Sequence, residues 1–282
     1  GQAYYDSILR LYASWGVDFI KCDDICNTNP YKGNPYSARR EIEMLSTAID
    51  RSGRPIVLSL SPGPALIDKA WHYETHANMW RVTDDFWDDW KLLKDMFHRC
   101  ELWQSHVSKG CYPDLDMLPL GHLGKGFGQE RQTNFTCPEQ RTMMTLWCLF
   151  GSPLMLGAEL TQLDEWTLSL LTNKEVLALA TCRPWQIRRD DTRAVWTAAD
   201  EADGSFYAAL FNLSDENREI SVSMNELYSS PYVHGPNLNL NNKNNIGLRD
   251  LWKGETTALT DSEISRTLKP HDCVIYKIAS AQ

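Results

Sequence analysis

No apolar run in the sequence reaches the roughly 18 residues that a membrane-spanning helix needs, so no stretch reads as a span. Positive charge is also short. There are 28 Lys and Arg against 37 Asp and Glu, a formal net charge of −9. Such a chain repels phosphate backbones, which excludes nucleic acid as the expected partner and suits a neutral substrate. A Gly-rich phosphate loop and a Gly-x-Ser-x-Gly elbow are both missing, and with them the motif routes to nucleotide and serine-hydrolase chemistry. Internal repeats are absent as well. No signal peptide is legible. The chain opens on Gly1-Gln2-Ala3-Tyr4, without an initiator Met and already inside a helical pattern. The expectation is that further residues precede it in the natural protein, so location is not legible from this end.

Zinc patterns fail too. Cys22-x3-Cys26 has no second ligand pair of similar spacing. His72 and His76 are four apart and can share a helix face. The zinc-protease pattern, however, needs Glu directly after the first His, and Tyr73 stands there. These two are expected to be ordinary helix histidines.

What is present is ordinary globular composition: 282 residues, 43% hydrophobic and 23% charged. That suffices for one large domain, or for a barrel and a small domain. The 11 Trp and 11 Tyr are expected mainly in the core, although aromatic faces also serve as sugar platforms. The eight Cys form no legible framework. Cys22 with Cys26, or Cys100 with Cys111, could pair, and buried free thiols explain them as well.

The first 182 residues alternate between two periods. Tyr4, Ile8, Leu11, Tyr12 and Trp15 mark a helical face that ends at Gly16. Residues 17–23 (Val-Asp-Phe-Ile-Lys-Cys-Asp) read as a strand, and 27–35 as a loop. Ser37 is placed to cap a helix over 38–51, closed by Gly53. Residues 55–61 form a second strand. Helices follow near 65–74, 86–102 and 137–150, then through Trp166 to Leu179. Strands are expected near 79–82, 115–118 and 152–156. Strand alternating with helix implies parallel β/α units, here about five strands of a (β/α)8 barrel.

The texture changes at Arg183-Pro184-Trp185. Strands over 193–197, 205–212, 218–224 and 273–278, with turns at 202–204 and 212–217, predict an antiparallel β-sandwich. The division is therefore 1–182 and 183–282. The Asn-rich stretch 237–245 is a loop.

Three places could carry chemistry. Phe19, Lys21 and Asp23 share one side of their strand by the period of two. A Lys and an Asp are poor core residues, yet fit the C-terminal rim of a barrel, where active sites sit. A nearby Lys favours an ionised Asp, as a nucleophile requires. On spacing alone, a structural ion pair at a strand end is the stronger reading. Trp80-Arg81-Val82-Thr83-Asp84-Asp85-Phe86-Trp87 gathers an Arg, two acids and aromatics at a strand-to-helix junction. Capping of the next helix fits Asp84 or Asp85 equally well. Asp23 and Asp85 on one rim would supply the two carboxylates of glycoside hydrolysis. Asp114 and Asp116 share one side of the third stretch, as a supporting hydrogen-bond shell or a metal site.

These motifs have a counterpart. Gly16-Val17-Asp18-Phe19-Ile20-Lys21-Cys22-Asp23 resembles the fourth-strand motif of glycoside hydrolase family 27, the α-galactosidases and α-N-acetylgalactosaminidases. The resemblance implies Asp23 as nucleophile and Lys21 as a sugar contact. Trp80 to Asp85 resembles the sixth-strand motif, implying Arg81 as a substrate contact and Asp85 as acid/base. Asp114-Leu115-Asp116-Met117-Leu118 is similar to the seventh strand, and Ser152-Pro153-Leu154-Met155-Leu156-Gly157 to the eighth. The stretch 235–276, with Asp250-Leu251-Trp252 and Pro270-His271, is similar to the family's C-terminal β-domain.

Two features depart from the family. Strands 1 to 3, which supply an acidic pair for the sugar hydroxyls, have no counterpart, so a fragment is expected. The fifth-strand loop reads Ser59-Leu60-Ser61-Pro62-Gly63-Pro64-Ala65. Galactose-specific animal members carry an acid and a bulky residue there. Ser61 is the substrate contact expected from this loop, and the sugar stays open.

The implied reaction is retaining hydrolysis of a terminal α-galactosyl-like residue by double displacement, with the carboxyls about 5–5.5 Å apart and no metal or cofactor. The same machinery could take a β-L-arabinopyranoside or an N-acetylgalactosaminide. A non-catalytic sugar-binding protein is the alternative of another class. The family suggests a secreted or periplasmic location. Oligomeric state is not legible. Asn134-Phe135-Thr136 and Asn212-Leu213-Ser214 match glycosylation triplets, which are common by chance.

Overall fold

The computed structural model describes residues 1–27, 33–34, 36–124, 128–200, 202, 204–233 and 246–280. The Asn-rich loop expected at 237–245, and parts of the loop at 27–35 and the turn at 202–204, lie outside the described residues. The chain forms two compact units. One is Gly1–Phe86 with Ser105–Asp116, the other Trp87–Gln104 with Met117–Gln282.

In the first unit α1 (Gln2–Ser14), β1 (Phe19–Cys22), α2 (Arg39–Ser52), β2 (Val57–Leu60), α3 (Ala70–His76), β3 (Met79–Arg81) and β4 (Tyr112–Asp114) follow one another. The strands pair in parallel in chain order. Parallel neighbours need crossover connections, and the alternating helices supply them. α2 buries Ile42, Leu45 and Ala48 and stops at Gly53, whose φ of 73° suits a residue without Cβ. Its first turn begins after Ala38, which has no capping oxygen, rather than on the expected Ser37.

Of the strand expected over 115–118 only the second half forms, and another strand lies just before it. β4 ends at Asp114, and β5 (Met117–Leu118) begins after a break. The cause is Asp116, at φ 74°. Its N–H turns back to donate to Asp114 Oδ1 at 2.9 Å. A left-handed residue cannot continue an extended strand, so Asp114 and Asp116 do not share one strand face.

In the second unit α4 (Trp90–Trp103) is followed by β5, the short antiparallel pair β6 (His122–Leu123) and β7 (Arg131–Gln132), then α5 (Cys137–Phe150) and β8 (Met155–Leu156). β8 pairs with β5 in parallel. The 86–102 helix starts late because Asp89 is its cap, accepting from the Lys91 N–H at 2.7 Å. α5 has a reciprocal capping box of Thr136 and Glu139, and nearly every later residue of it is buried.

The all-β part holds β9 (Arg183–Arg189), β10 (Arg193–Ala199), β11 (Phe206–Asn212), β12 (Arg218–Ser223), β13 (Ile246–Asp250), β14 (Glu255–Ala258), β15 (Glu263–Leu268) and β16 (Cys273–Ser280). Six form an antiparallel sheet in the order β14-β13-β16-β11-β10-β9, and β12 pairs with β15. Val195, Phe206, Leu210, Ile220, Val222, Leu248, Ile264 and Ile278 fill one core between the two layers. At roughly 1.5–3 kcal/mol per buried apolar side chain, this core is the main cohesion of the sandwich. β11 is buried on both sides because its other face meets helices: Phe211 lies edge-to-face on Phe97 of α4 at 4.9 Å. The turn before β16 is tied to α5 by His271 to Glu139 at 2.7 Å and Arg141 to Asp272 at 2.8 Å.

All eight cysteines are free thiols. Burial pushes Cys26, Cys148 and Cys273 up to about 12, which makes them inert packing residues. The Asn212 triplet is no glycan acceptor in the folded chain. Asn212 is fully buried, and its amide donates to the carbonyls of Glu216, Leu268 and Lys269.

Candidate active site

The residues singled out in the sequence converge on the C-terminal ends of β1 to β4, in the first unit. Along β1 burial alternates, so Phe19, Lys21 and Asp23 stand on its exposed side. Register sets Lys21 beside Ser59, Leu60 beside Trp80 and Arg81 beside Asp114. Asp23 and Ser61 follow directly on two neighbouring strands.

Asp23 Oδ1 accepts from the Ser61 hydroxyl at 2.8 Å. Among the described residues no ion pair joins Lys21 to Asp23, so a hydroxyl, not the ammonium, orients this carboxylate. The loop after β1 is laid on the loop after β2. Ile25 and Cys26 N–H groups donate to Ser61 O, and the Asn27 side chain donates to Pro64 O at 2.8 Å. Ser61, itself 1% exposed, is thereby held from both sides. The loop also closes against β3. A Cβ on Gly63 would lie 2.2 Å from Thr83 O and 2.6 Å from Arg81 O. Only glycine permits that backbone approach. In the sequence Pro62-Gly63-Pro64 reads only as a loop, because the atoms that impose this requirement are distant along the chain.

Arg81 is the hub of the other half. Its guanidinium is 3% exposed. Nη1 donates to Asp116 Oδ1 at 2.8 Å, and Nη2 to Asp85 Oδ1 at 3.0 Å. Asp116 Oδ2 accepts from the Phe86 N–H at 2.8 Å, folding the segment after β3 back over the strand ends. Asp85 is then presented outward, with its side chain 76% exposed. Neither Asp84 nor Asp85 caps α4, because Asp89 does. Cys26 packs beneath, its thiol facing Arg81 O at 3.9 Å.

Asp114 is the electrostatic outlier. Burial pushes its carboxyl up to about 6. The Asp116 N–H and the Arg81 and Lys21 cations oppose this, while the Asp116 charge adds to it. The folded state therefore binds this proton more tightly than an ordinary carboxyl, near 3.8. Its contribution to stability is full below that value and is lost as pH rises through about 6. Asp114→Asn is expected to remove this loss, so that stability at about pH 7 relative to about pH 4 is higher than in the wild type by on the order of 2–3 kcal/mol in urea titrations. An unchanged profile would refute this.

The arrangement can place two exposed carboxylates around a ligand on a rim of parallel strands. One is oriented by a buried hydroxyl and the other by a buried guanidinium.

Comparison with known proteins accords with this. The family model for alpha galactosidase A matches residues 1–181, and that for the alpha galactosidase C-terminal beta sandwich domain matches 190–278. A family 27 β-L-arabinopyranosidase of Geobacillus stearothermophilus is 47% identical with a TM-score of 0.87, covering 99% of this chain and 61% of that one. An Asp-to-Ala variant of it, solved in complex with arabinose, is 47% identical with a TM-score of 0.88, over 100% and 62%. Alpha-galactosidase 2 of Arabidopsis thaliana is 27% identical over 273 residues, 95% of this chain and 62% of the relative. The chain thus spans about three-fifths of the length of the relatives it matches. A family model that covers the β/α part and a second that covers the sandwich make this chain a member of the alpha-galactosidase family, glycoside hydrolase family 27, with its (β/α)8-barrel and β-sandwich fold.

Proposed function

We propose that the full-length protein is a retaining glycoside hydrolase for terminal α-galactosyl or closely related residues. In this reading residues 1–182 belong to the catalytic barrel and 183–282 to the β-domain. The observation that carries it is the pair of exposed carboxylates, Asp23 on Ser61 and Asp85 on Arg81, at the C-terminal ends of parallel strands. Asp23 attacks the anomeric carbon while Asp85 protonates the leaving oxygen. Asp85 then takes a proton from the water that cleaves the glycosyl ester, giving net retention. Lys21 binds substrate. Ser61 and Arg81, expected from the sequence as substrate contacts, are buried and orient the two carboxylates instead, and Asp114 with Asp116 supports Arg81. This cycle uses the chain's own groups and no cofactor.

A second reading concerns the sugar. Over the part that aligns, 61% of its length, the Geobacillus β-L-arabinopyranosidase is 47% identical to this chain, against 27% for the plant α-galactosidase over 62% of its length. β-L-Arabinopyranose is the same ring without the C6 hydroxymethyl. The test is the full-length protein on nitrophenyl α-galactoside and nitrophenyl β-L-arabinopyranoside, with the first-formed anomer followed by NMR. Retention on either supports the mechanism, and the larger kcat/KM names the sugar. Inversion, or binding of both sugars without turnover, would overturn it.

A further inference from the structure

The two histidines read from the sequence as ordinary helix residues do not stand alone. His72 and His76 lie one turn apart on α3, and residues at this spacing share a helix face. Their ring centroids are 4.5 Å apart. Glu43, on α2, meets them: its Oε1 is 3.3 Å from His72 Nε2. One donor atom from each of the three lies within 4.8 Å of the other two.

From these positions we infer that Glu43, His72 and His76 form a binding site for one divalent first-row transition-metal ion, zinc in the first instance. Two imidazoles and a carboxylate are a complete three-ligand zinc set. Ligands of a tetrahedral ion at about 2.0–2.1 Å stand roughly 3.4 Å from one another, and the Glu43–His72 contact already has that span. His76 reaches the same sphere by turning its side chain, which is only half-buried. The ring of His72 is fixed from behind. Tyr36 Oη and His72 Nδ1 are 2.5 Å apart, and Tyr36 and His72 are both buried. A hydrogen bond on the far nitrogen is what aims the other at a metal. Arg39 Nε also touches Glu43 Oε1 at 3.1 Å, on the exposed side, so it is the cation that the metal would displace or share. The zinc-protease pattern demands a general-base Glu directly after the first His, which says nothing of a third ligand supplied, as here, by another helix. The ion would bridge α2 to α3.

The full-length protein, stripped with a chelator, is titrated with Zn2+ by calorimetry and then with Co2+ under absorption spectroscopy, beside His76→Ala and Glu43→Gln. Wild type is expected to bind one equivalent of Zn2+ that His76→Ala lacks. Glu43→Gln should bind it at least tenfold more weakly, and Zn2+ should raise Tm only where the equivalent binds. The Co2+ complex should show visible d–d bands without a thiolate charge-transfer band, which separates this site from the cysteines. Equal stoichiometry and affinity in wild type and His76→Ala would overturn the inference. So would no Zn2+ binding by wild type at micromolar metal.

Discussion

Asp23→Ala in the full-length protein is expected to lower kcat by about ten-thousandfold or more while leaving the fold intact. The first effect follows from losing the group that must form the glycosyl ester, since removing a nucleophile alone costs on this order. The second follows from its setting. Asp23 is exposed, and the change deletes its bond with the buried Ser61 hydroxyl, so stability should fall by about 1–2 kcal/mol, too little to unfold the protein. Added azide distinguishes a lost nucleophile from general damage. It fits the space the carboxylate leaves and attacks from that face, so the product glycosyl azide should have the configuration opposite to the substrate's. In Asp85→Ala the nucleophile is still present, and azide should instead give the retained product. Full activity in Asp23→Ala, or retained azide from it, would refute the assignment of roles.

Arg81→Met should be the most destabilising change in the site. The guanidinium is 3% exposed, and the Asp116 carboxylate beside it only 9%. Removing the cation leaves the Asp116 carboxylate, which also accepts from the Phe86 N–H, buried without the opposite charge that faces it at 2.8 Å. Breaking a buried pair from one side costs about 3–5 kcal/mol, because the remaining charge stays desolvated. In a protein of this size that corresponds to a fall in Tm of roughly ten degrees, read by calorimetry. The pair with Asp85 adds little to stability, since that carboxylate is 76% exposed and screened by water. Its loss should appear in turnover instead. Arg81→Lys should recover part of the stability but little activity, because an ammonium cannot hold two carboxylates with a planar fork. A loss below about 1 kcal/mol in Arg81→Met would show that the buried pair is not what holds the strand ends.

How much of this the residues announce depends on whether local rules and tertiary packing agree. α5 was legible to the residue, because an apolar run follows Thr136 and ends at Gly151, which has φ 79°. β1 and β2 were legible from β-prone runs between a glycine and polar loops. β9 was not. Its Arg183, Pro184, Arg188 and Arg189 read as a boundary, yet it is an edge strand, where proline and charge are tolerated. β14 lies at the opposite edge, exposed along its whole length, and so carries no alternation to read. At the site, residue types and their order pointed to Asp23, Arg81 and Asp85. The left-handed turn at Asp116 was hidden, because nothing local distinguishes Asp-Leu-Asp-Met-Leu as one strand from two. The role of Gly63 was hidden for the same reason: the atoms that require it belong to residues 81 and 83.

The most direct test of the central claim is to inactivate the full-length protein with a 2-deoxy-2-fluoro glycoside of its preferred sugar and locate the label by peptide mass spectrometry. One equivalent of sugar is expected, held as an ester on Asp23. Label on any other carboxylate would contradict it.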